Sequence, residues 1–250
     1  MRYFIELSYN GENYHGWQKQ TNANTVQEEL NRCLSLQLGQ KLDVVGAGRT
    51  DTGVHALQMF AHFDSLNEID CDELIFKLNS CLSNDIFIHS IFPVSEDMHA
   101  RFSATARTYK YVVSNKRDLF NKNIYVFNKS IDLDKMNKAC ELILGEKDFS
   151  SFSKSKTDTY TNICNVSFAK WTVEKDNYIF IIRSNRFLRN MVRSLAGTIL
   201  DIGVGKHEVN SISSILDKRD RRAAGDSVPA KGLFLVKIEY PDLFSYDTSR

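Results

Sequence analysis

The order of its periodic segments constrains this chain more than any other feature. Residues 2–9 alternate, with Tyr3, Ile5, Leu7 and Tyr9 on one side, the period-two pattern of a half-buried strand. A turn-rich segment around Asn10-Gly11 follows. Thr25 and Glu28 stand at capping-box spacing, T-x-x-E, and Val26, Leu30, Cys33, Leu34 and Leu38 then recur at helical intervals. Residues 42–48 read as a strand ending in Gly46 and Gly48. Residues 54–63 alternate again, with Leu57, Met59, Ala61 and Phe63 on one face. Asp70 and Glu73 open a second helix carrying Leu74, Ile75, Leu78 and Leu82, and the run IFIHSIFPV (86–94) is rich in strand formers. The order β-α-β-β-α-β is the ferredoxin-like arrangement.

The rest of the chain repeats the theme with additions. Residues 108–114 and 124–127 read as strands. Asp132 caps a helix with Leu133, Met136, Cys140 and Ile143, stopped by Gly145. Strands at 163–173 and 178–184 join across a turn at Glu174–Asn177. A helix is expected from about Phe187 to about Ile202, a short one over 207–217, and a last strand over 233–240. The expected class is α+β: two ferredoxin-like (RRM-like) α/β sandwich units, residues 1–103 and 104–250, whose mostly antiparallel sheets join around a central active-site cleft. Only three prolines occur, so the pattern offers no flexible linker.

Charge is unevenly distributed. The formal net charge is +1, yet residues 1–100 hold 6 basic and 14 acidic side chains, and residues 101–250 hold 26 and 17. Such asymmetry points to an anionic partner for the second part. The five cysteines, Cys33, Cys71, Cys81, Cys140 and Cys164, are scattered with no C-x-x-C pair, so neither a disulfide framework nor a zinc site is expected. No apolar run approaches the roughly 18 residues of a membrane span, and MRYFIELSYN lacks a signal-peptide pattern. A cytoplasmic protein with no membrane or metal requirement is expected.

The most distinctive stretch is Gly46-Ala47-Gly48-Arg49-Thr50-Asp51-Thr52-Gly53-Val54-His55-Ala56, a loop between two strands. It is not a dinucleotide fingerprint, because Asp51 stands where the third glycine belongs and no helix follows. Asp51 is either a turn-forming aspartate or a carboxylate presented beside Arg49. At this point the sequence resembles the tRNA pseudouridine synthase A family. GRTDTGVHA is similar to that family's catalytic loop. YHGWQKQ (14–20), HARFSATARTYKY (99–111), FLRNMVRSLAGTIL (187–200) and GDSVPAKGLFLVKIEYP (225–241) are similar to its other blocks, in order and over nearly the whole chain. Thr52 departs from the pattern, which more often has alanine.

The resemblance implies an isomerase of tRNA without a cofactor. The N1–C1′ bond of uridine breaks, the uracil turns, and C5 joins C1′, so a charge stabiliser or nucleophile suffices. It implies Asp51 as that carboxylate, at C6 of the base or at C1′. It implies Arg193, or else Arg189, as the cation opposing the effect of burial on Asp51. It implies that Tyr109 stacks on the extruded base, that Arg49 fills the gap it leaves or steers the flipped nucleotide, and that Phe187 and His55 also contact substrate. Uridines 38, 39 and 40 in the anticodon stem-loop are the implied targets, and a homodimer the implied assembly. Arg183, Arg186, Arg189 and Arg193 are spaced 3, 3 and 4 apart, the last three on one helix face, and Lys218, Arg219, Arg221 and Arg222 form a second basic cluster. Both suit phosphates. His15, His55, His62, His89, His99 and His207 make no metal pattern and read as packing, hydrogen-bonding or RNA-contact groups. Two other readings compete: a non-catalytic RNA-binding module with stacking aromatics exposed on its sheets, and a metal-dependent hydrolase built on Asp51, His55 and Asp64.

Overall fold

In the computed structural model, which describes residues 1–154 and 160–241, the chain divides into two units. One comprises Met1–Ala106 with the residues from Leu235 onward, and the other Arg107–Phe234. Both are mixed α/β structures with mostly antiparallel sheets, and the described residues include five α-helices. None of these helices is long and apolar enough to cross a membrane.

The first unit contains β1 (Arg2–Tyr9), α1 (Val26–Leu38), β2 (Val45–Gly46), β3 (His55–Asp64), α2 (Cys71–Cys81) and β4 (Ile86–Val94). β1 lies between β3 and β4, antiparallel to both, with Ile5 opposite Ala61 and Ile91. β2 is shorter than expected, pairing only Val45 and Gly46 with His62 and Ala61. The alternation of β1 does what it promised: Tyr3, Ile5, Leu7 and Tyr9 are buried, as are Val26, Leu30, Cys33 and Leu34 of α1 and Leu74 and Leu78 of α2. Burying each large apolar side chain contributes about 1.5–3 kcal/mol. Both helix starts carry the expected caps. Thr25 Oγ1 accepts from Glu28 N (3.4 Å) and Asp70 Oδ1 from Glu73 N (3.0 Å).

The opposite face of β1 and β3 is aromatic but covered. Phe4 packs against Phe60, His62, Phe92 and Tyr240 with ring centroids 5.6–6.5 Å apart. Phe4 is 0% and Phe60 3% exposed. A module that reads RNA by aromatics on its sheet needs those rings uncovered, so this face does not meet that expectation.

The second unit contains β5 (Ala106–Ser114), β6 (Tyr125–Val126), α3 (Leu133–Glu141), β7 (Gly145–Asp148), β8 (Ile163–Glu174), β9 (Asn177–Ser184), α4 (Met191–Gly203) and α5 (Ser211–Lys218). The last strand, β10 (Leu233–Glu239), begins at its end. The sheet order is β5-β9-β8-β7, all antiparallel, with β6 parallel to the end of β5. Tyr111, Phe180 and Trp171 lie side by side across three strands and are buried.

The hairpin turn across Glu174–Asn177 forms as expected, with Lys175 at φ 57° and Glu174 opposite Asn177, as tight right-twisted hairpins prefer. Three sequence expectations are corrected. Gly145 does not simply stop a helix: α3 ends at Glu141 and Gly145, at φ 85°, opens β7, which the periodicity is too short to reveal. The fourth helix starts at Met191 rather than Phe187, because Asn190 sits at φ 67°, outside helical geometry. The last strand, expected in the second domain, has most of its length in the first unit, where it borders β3. There Ile238 N donates to Gln58 Oε1 (3.0 Å), Thr105 N to Glu239 O (2.7 Å) and Tyr240 OH to Ala100 O (2.6 Å). Alternation marks a strand but cannot name the strand it pairs with.

Each unit also closes a strand edge with an asparagine from a helix. Asn79 donates to Ile88 O (3.0 Å) and accepts from Ile88 N (2.8 Å). Asn137 does the same to Trp171 (3.0 and 2.8 Å). Exposed ladder groups invite foreign strands, and these amides occupy them.

Candidate active site

Main-chain contacts anchor the distinctive loop. Thr50 O accepts from Trp17 N (3.3 Å), Gly53 N donates to Tyr14 O (3.2 Å), and Ala47 N donates to Phe60 O (2.8 Å). The buried hydroxyls of Tyr9 and Thr50 meet at 2.9 Å. Val54 N donates to Asp51 O (3.1 Å), closing a turn in which Gly53 takes φ 76°. Gly16 packs directly on the Thr50–Asp51 backbone at φ 89°, and a Cβ there would collide with Thr50 O. Trp17, 1% exposed, lies against Gly46 with no room for a Cβ. The blocks at 14–20 and 46–56 are therefore one interlocked object. Within it the Asp51 side chain is half-buried, on a backbone that has little freedom to move it.

Arg49 is exposed, and its Nε donates to Gln18 Oε1 (3.2 Å). His55 is 2% exposed and its Nδ1 accepts from Gly11 N (3.1 Å). It braces the foot of the loop. His62, at the far end of β3, likewise accepts Ala100 N at Nδ1 (3.1 Å). Burial, then the nearby Arg2, pushes the His62 ring down to about 4. Asp64 is bound through both oxygens by Arg2 (2.8 and 2.9 Å), which holds its carboxyl below the usual range. His55 and Asp64 bound the 10 residues of β3, a span of about 30 Å. The ligand set of the hydrolase reading is therefore not assembled, and the described residues contain no other cluster of three or more potential metal-binding side chains.

In the second unit, Tyr109 occupies the start of β5 on the same face as Tyr111, opposite Ile182. It is half-buried and meets the ring of Phe187 edge-to-face at 5.1 Å and 88°. Phe187 and Arg189 lie in the loop ahead of α4. Arg189 is exposed, and its carbonyl accepts from Lys154 N (3.0 Å). Only Arg193 of the four spaced arginines is on the helix, so the expected shared face is not formed. Arg193 is positioned by the C-terminal block: its Nε donates to Val228 O (2.8 Å) and its carbonyl accepts from Val228 N (3.2 Å). Asn190 Nδ2 donates to Ser227 Oγ (2.6 Å), and Gly197 lets the Asp226 backbone touch α4 where a Cβ would collide with it.

The second basic cluster is largely engaged internally. Arg219 pairs with Asp148 (3.2 Å) and Arg222 with Asp220 (2.7 Å). Arg221 donates to Ala224 O, Gly225 O and Ser227 Oγ (3.3, 3.1 and 3.0 Å). Arg221 thereby shapes the 224–227 segment, a role its sequence spacing did not signal. The cysteines are free thiols, and burial pushes Cys33 and Cys140 up to about 12.

Comparison with known proteins bears on both units. A family model described as tRNA pseudouridine synthase matches residues 7–103 and 139–241. A tRNA pseudouridine synthase A of Bacteroides thetaiotaomicron is 47% identical over 254 residues, covering 100% of this chain and 94% of the relative. One of Parabacteroides distasonis is 46% identical over 96% of both chains. One of Caldicellulosiruptor saccharolyticus is 40% identical over 94% of this chain and 98% of its own. A solved Cbf5–Nop10–Gar1 complex matches 80% of this chain and 54% of its own at 9% identity and TM-score 0.35, too distant to bear on the site.

Proposed function

We propose, for a chain that belongs to the tRNA pseudouridine synthase family of isomerases, that it converts uridines 38, 39 and 40 of the tRNA anticodon stem-loop to pseudouridine, with Asp51 as its catalytic carboxylate. The observation that carries this reading is the clamped loop: a carboxylate is held half-buried on a backbone fixed by Gly16, Trp17 and Thr50. Placing a reacting group rigidly removes orientational entropy from the barrier.

The chemistry balances within the substrate. N1–C1′ breaks, C5–C1′ forms, C5 loses a proton and N1 gains one. Asp51 acts as nucleophile or charge stabiliser during the exchange. Arg193 keeps that carboxylate ionised as water is excluded. Its Nε is engaged by Val228 O, and Arg189 in the preceding loop takes a phosphate. Tyr109 presents its ring to the extruded uracil and its hydroxyl to the C5 proton. Phe187, edge-on at 5.1 Å, holds that ring in orientation. Arg49 takes the space the base leaves.

The same reading makes each of the two units ferredoxin-like. The neighbour order β4-β1-β3-β2 of the first unit supports it. It also makes the protein a cytoplasmic homodimer, and sedimentation tests the dimer.

The deciding experiment incubates wild type and Asp51→Asn with unmodified tRNA transcript in the presence of chelator and maps pseudouridine by position. Product from wild type alone, at 38–40, with tRNA binding retained by the variant, is expected. Equal product from both proteins removes Asp51 from the mechanism.

A further inference from the structure

Residues 99–103 form a single turn fastened at both ends. Ser103 N donates to His99 O (2.9 Å) and His99 N to Ser103 Oγ (3.0 Å). Inside it, His99 Nδ1 accepts from Arg101 N (3.1 Å) and Phe102 N (3.3 Å). The base of the turn is anchored to the first unit through Ala100, whose N donates to His62 Nδ1 (3.1 Å) and whose O accepts from Tyr240 OH (2.6 Å). Ala100 is 0% exposed, yet Phe102, two residues on, is 75% exposed.

A single exposed phenylalanine is unremarkable on its own. Here three further features accompany it. The ring lies 4.3 Å from that of His99 at an interplanar angle of 34°. The Arg101 guanidinium sits 5.5 Å from its centroid. His99 itself rests on His62 at 4.6 Å. Both imidazoles accept backbone N–H groups at Nδ1, and burial pushes both toward the neutral form. The result is an anchored cluster of tilted and edge-to-face rings with the Phe102 ring exposed to solvent beside a cation. Proteins that hold unpaired nucleotides use this pairing of ring and guanidinium, since every base has a face to stack.

We propose that Phe102, with His99 beneath it and Arg101 beside it, is a stacking platform for an unpaired base of the same tRNA, distinct from the uridine being isomerised. The platform is attached at His62, seven residues along β3 from His55 at the foot of the catalytic loop, a separation of about 20 Å. It therefore grips the RNA away from the reacting nucleotide and acts on affinity more than on the chemical step. This rests on the tRNA-modifying function proposed above, and its test separates the two.

Three measurements are made on the full chain: tRNA affinity against salt, kcat and KM for pseudouridine formation, and sedimentation. Phe102→Ala is expected to raise Kd and KM about tenfold with a much smaller change in kcat. The slope of log Kd against log salt should stay unchanged, because a lost stacking contact releases no counterions. Phe102→Trp is expected to restore affinity. Trp17 and Trp171 are 1% and 0% exposed, so the indole it introduces is the one that tRNA should quench saturably. Unchanged Kd and KM in Phe102→Ala, or no quenching in Phe102→Trp, overturns the platform while leaving the catalytic reading intact. A shift of the sedimenting mass with tRNA affinity unchanged assigns the ring to a protein contact and also overturns it. Wild type that binds tRNA but makes no pseudouridine sinks the catalytic reading alone.

Discussion

The two units hold their candidate site residues by opposite means. In the first, the main chain does the work: Asp51 has a short side chain, and its position follows from a backbone pressed against Gly16 and bonded to Trp17 and Tyr14. In the second, side-chain contacts do it: Arg193 reaches Val228 O, Asn190 reaches Ser227, and Tyr109 leans on Phe187. A carboxylate two bonds from its Cα can be no more accurate than its backbone, so precision there demands glycines. A guanidinium five bonds out is aimed instead by the groups it touches along its length. The charge division matches: the carboxylate belongs to the acidic part of the chain, the cations to the basic part.

The sharpest way to break this comparison is at its centre. Asp51→Asn should lower kcat by a factor on the order of 10³ or more, while tRNA affinity changes only a few-fold, as measured by single-turnover kinetics. A variant that keeps most of its activity would strip the first loop of its purpose.

Next in size are the two glycine contacts. Gly16→Ala places a Cβ against Thr50 O at φ 89°, and Gly197→Ala places one against Asp226 O. Each should destabilise the fold by about 2–4 kcal/mol in urea unfolding. Only Gly16→Ala should also depress kcat in the fraction that remains folded, because it displaces the Asp51 backbone. Equal kinetic damage from both would erase the distinction between the units.

Acid should separate them as well. His62, 4% exposed, is held down to about 4 against an ordinary 6.5. The fold thus contains the neutral ring, and the unfolded chain binds a proton first as pH drops. The contribution is fully present above pH 6.5, declines between 6.5 and 4, and is worth up to about 2–3 kcal/mol. The one histidine of the second unit, His207, is exposed. Amide exchange followed from pH 7 to pH 4 should show β3 loosening before β9, and His62→Gln should flatten that difference.

The smallest effects should be equal in the two units. Asn79→Ala and Asn137→Ala each leave a strand's N–H and C=O without their amide partner. Each should cost about 1–2 kcal/mol of stability in thermal or urea melts with kcat untouched. A much larger loss for one would mean that its strand edge is also a determinant of the fold.

What was legible from the chain alone was local. The period-two run at 2–9, the caps at Thr25, Asp70 and Asp132, and the glycine-rich loop around Asp51 each carry their meaning within a few residues, whereas the run at 54–63 marks a strand but not its buried side, since Leu57 is 51% exposed and Phe60 and His62 opposite are buried. What only the tertiary structure decided was partnership. That β10 borders β3, that His55 turns inward to Gly11, that Arg219 meets Asp148, and that Asn190 reaches Ser227 all depend on residues distant in sequence or on a backbone turn without a signature. The physical reason is that periodicity reports which side of an element is apolar, whereas the choice of neighbour is set by packing and hydrogen bonding over long separations, which no short window contains.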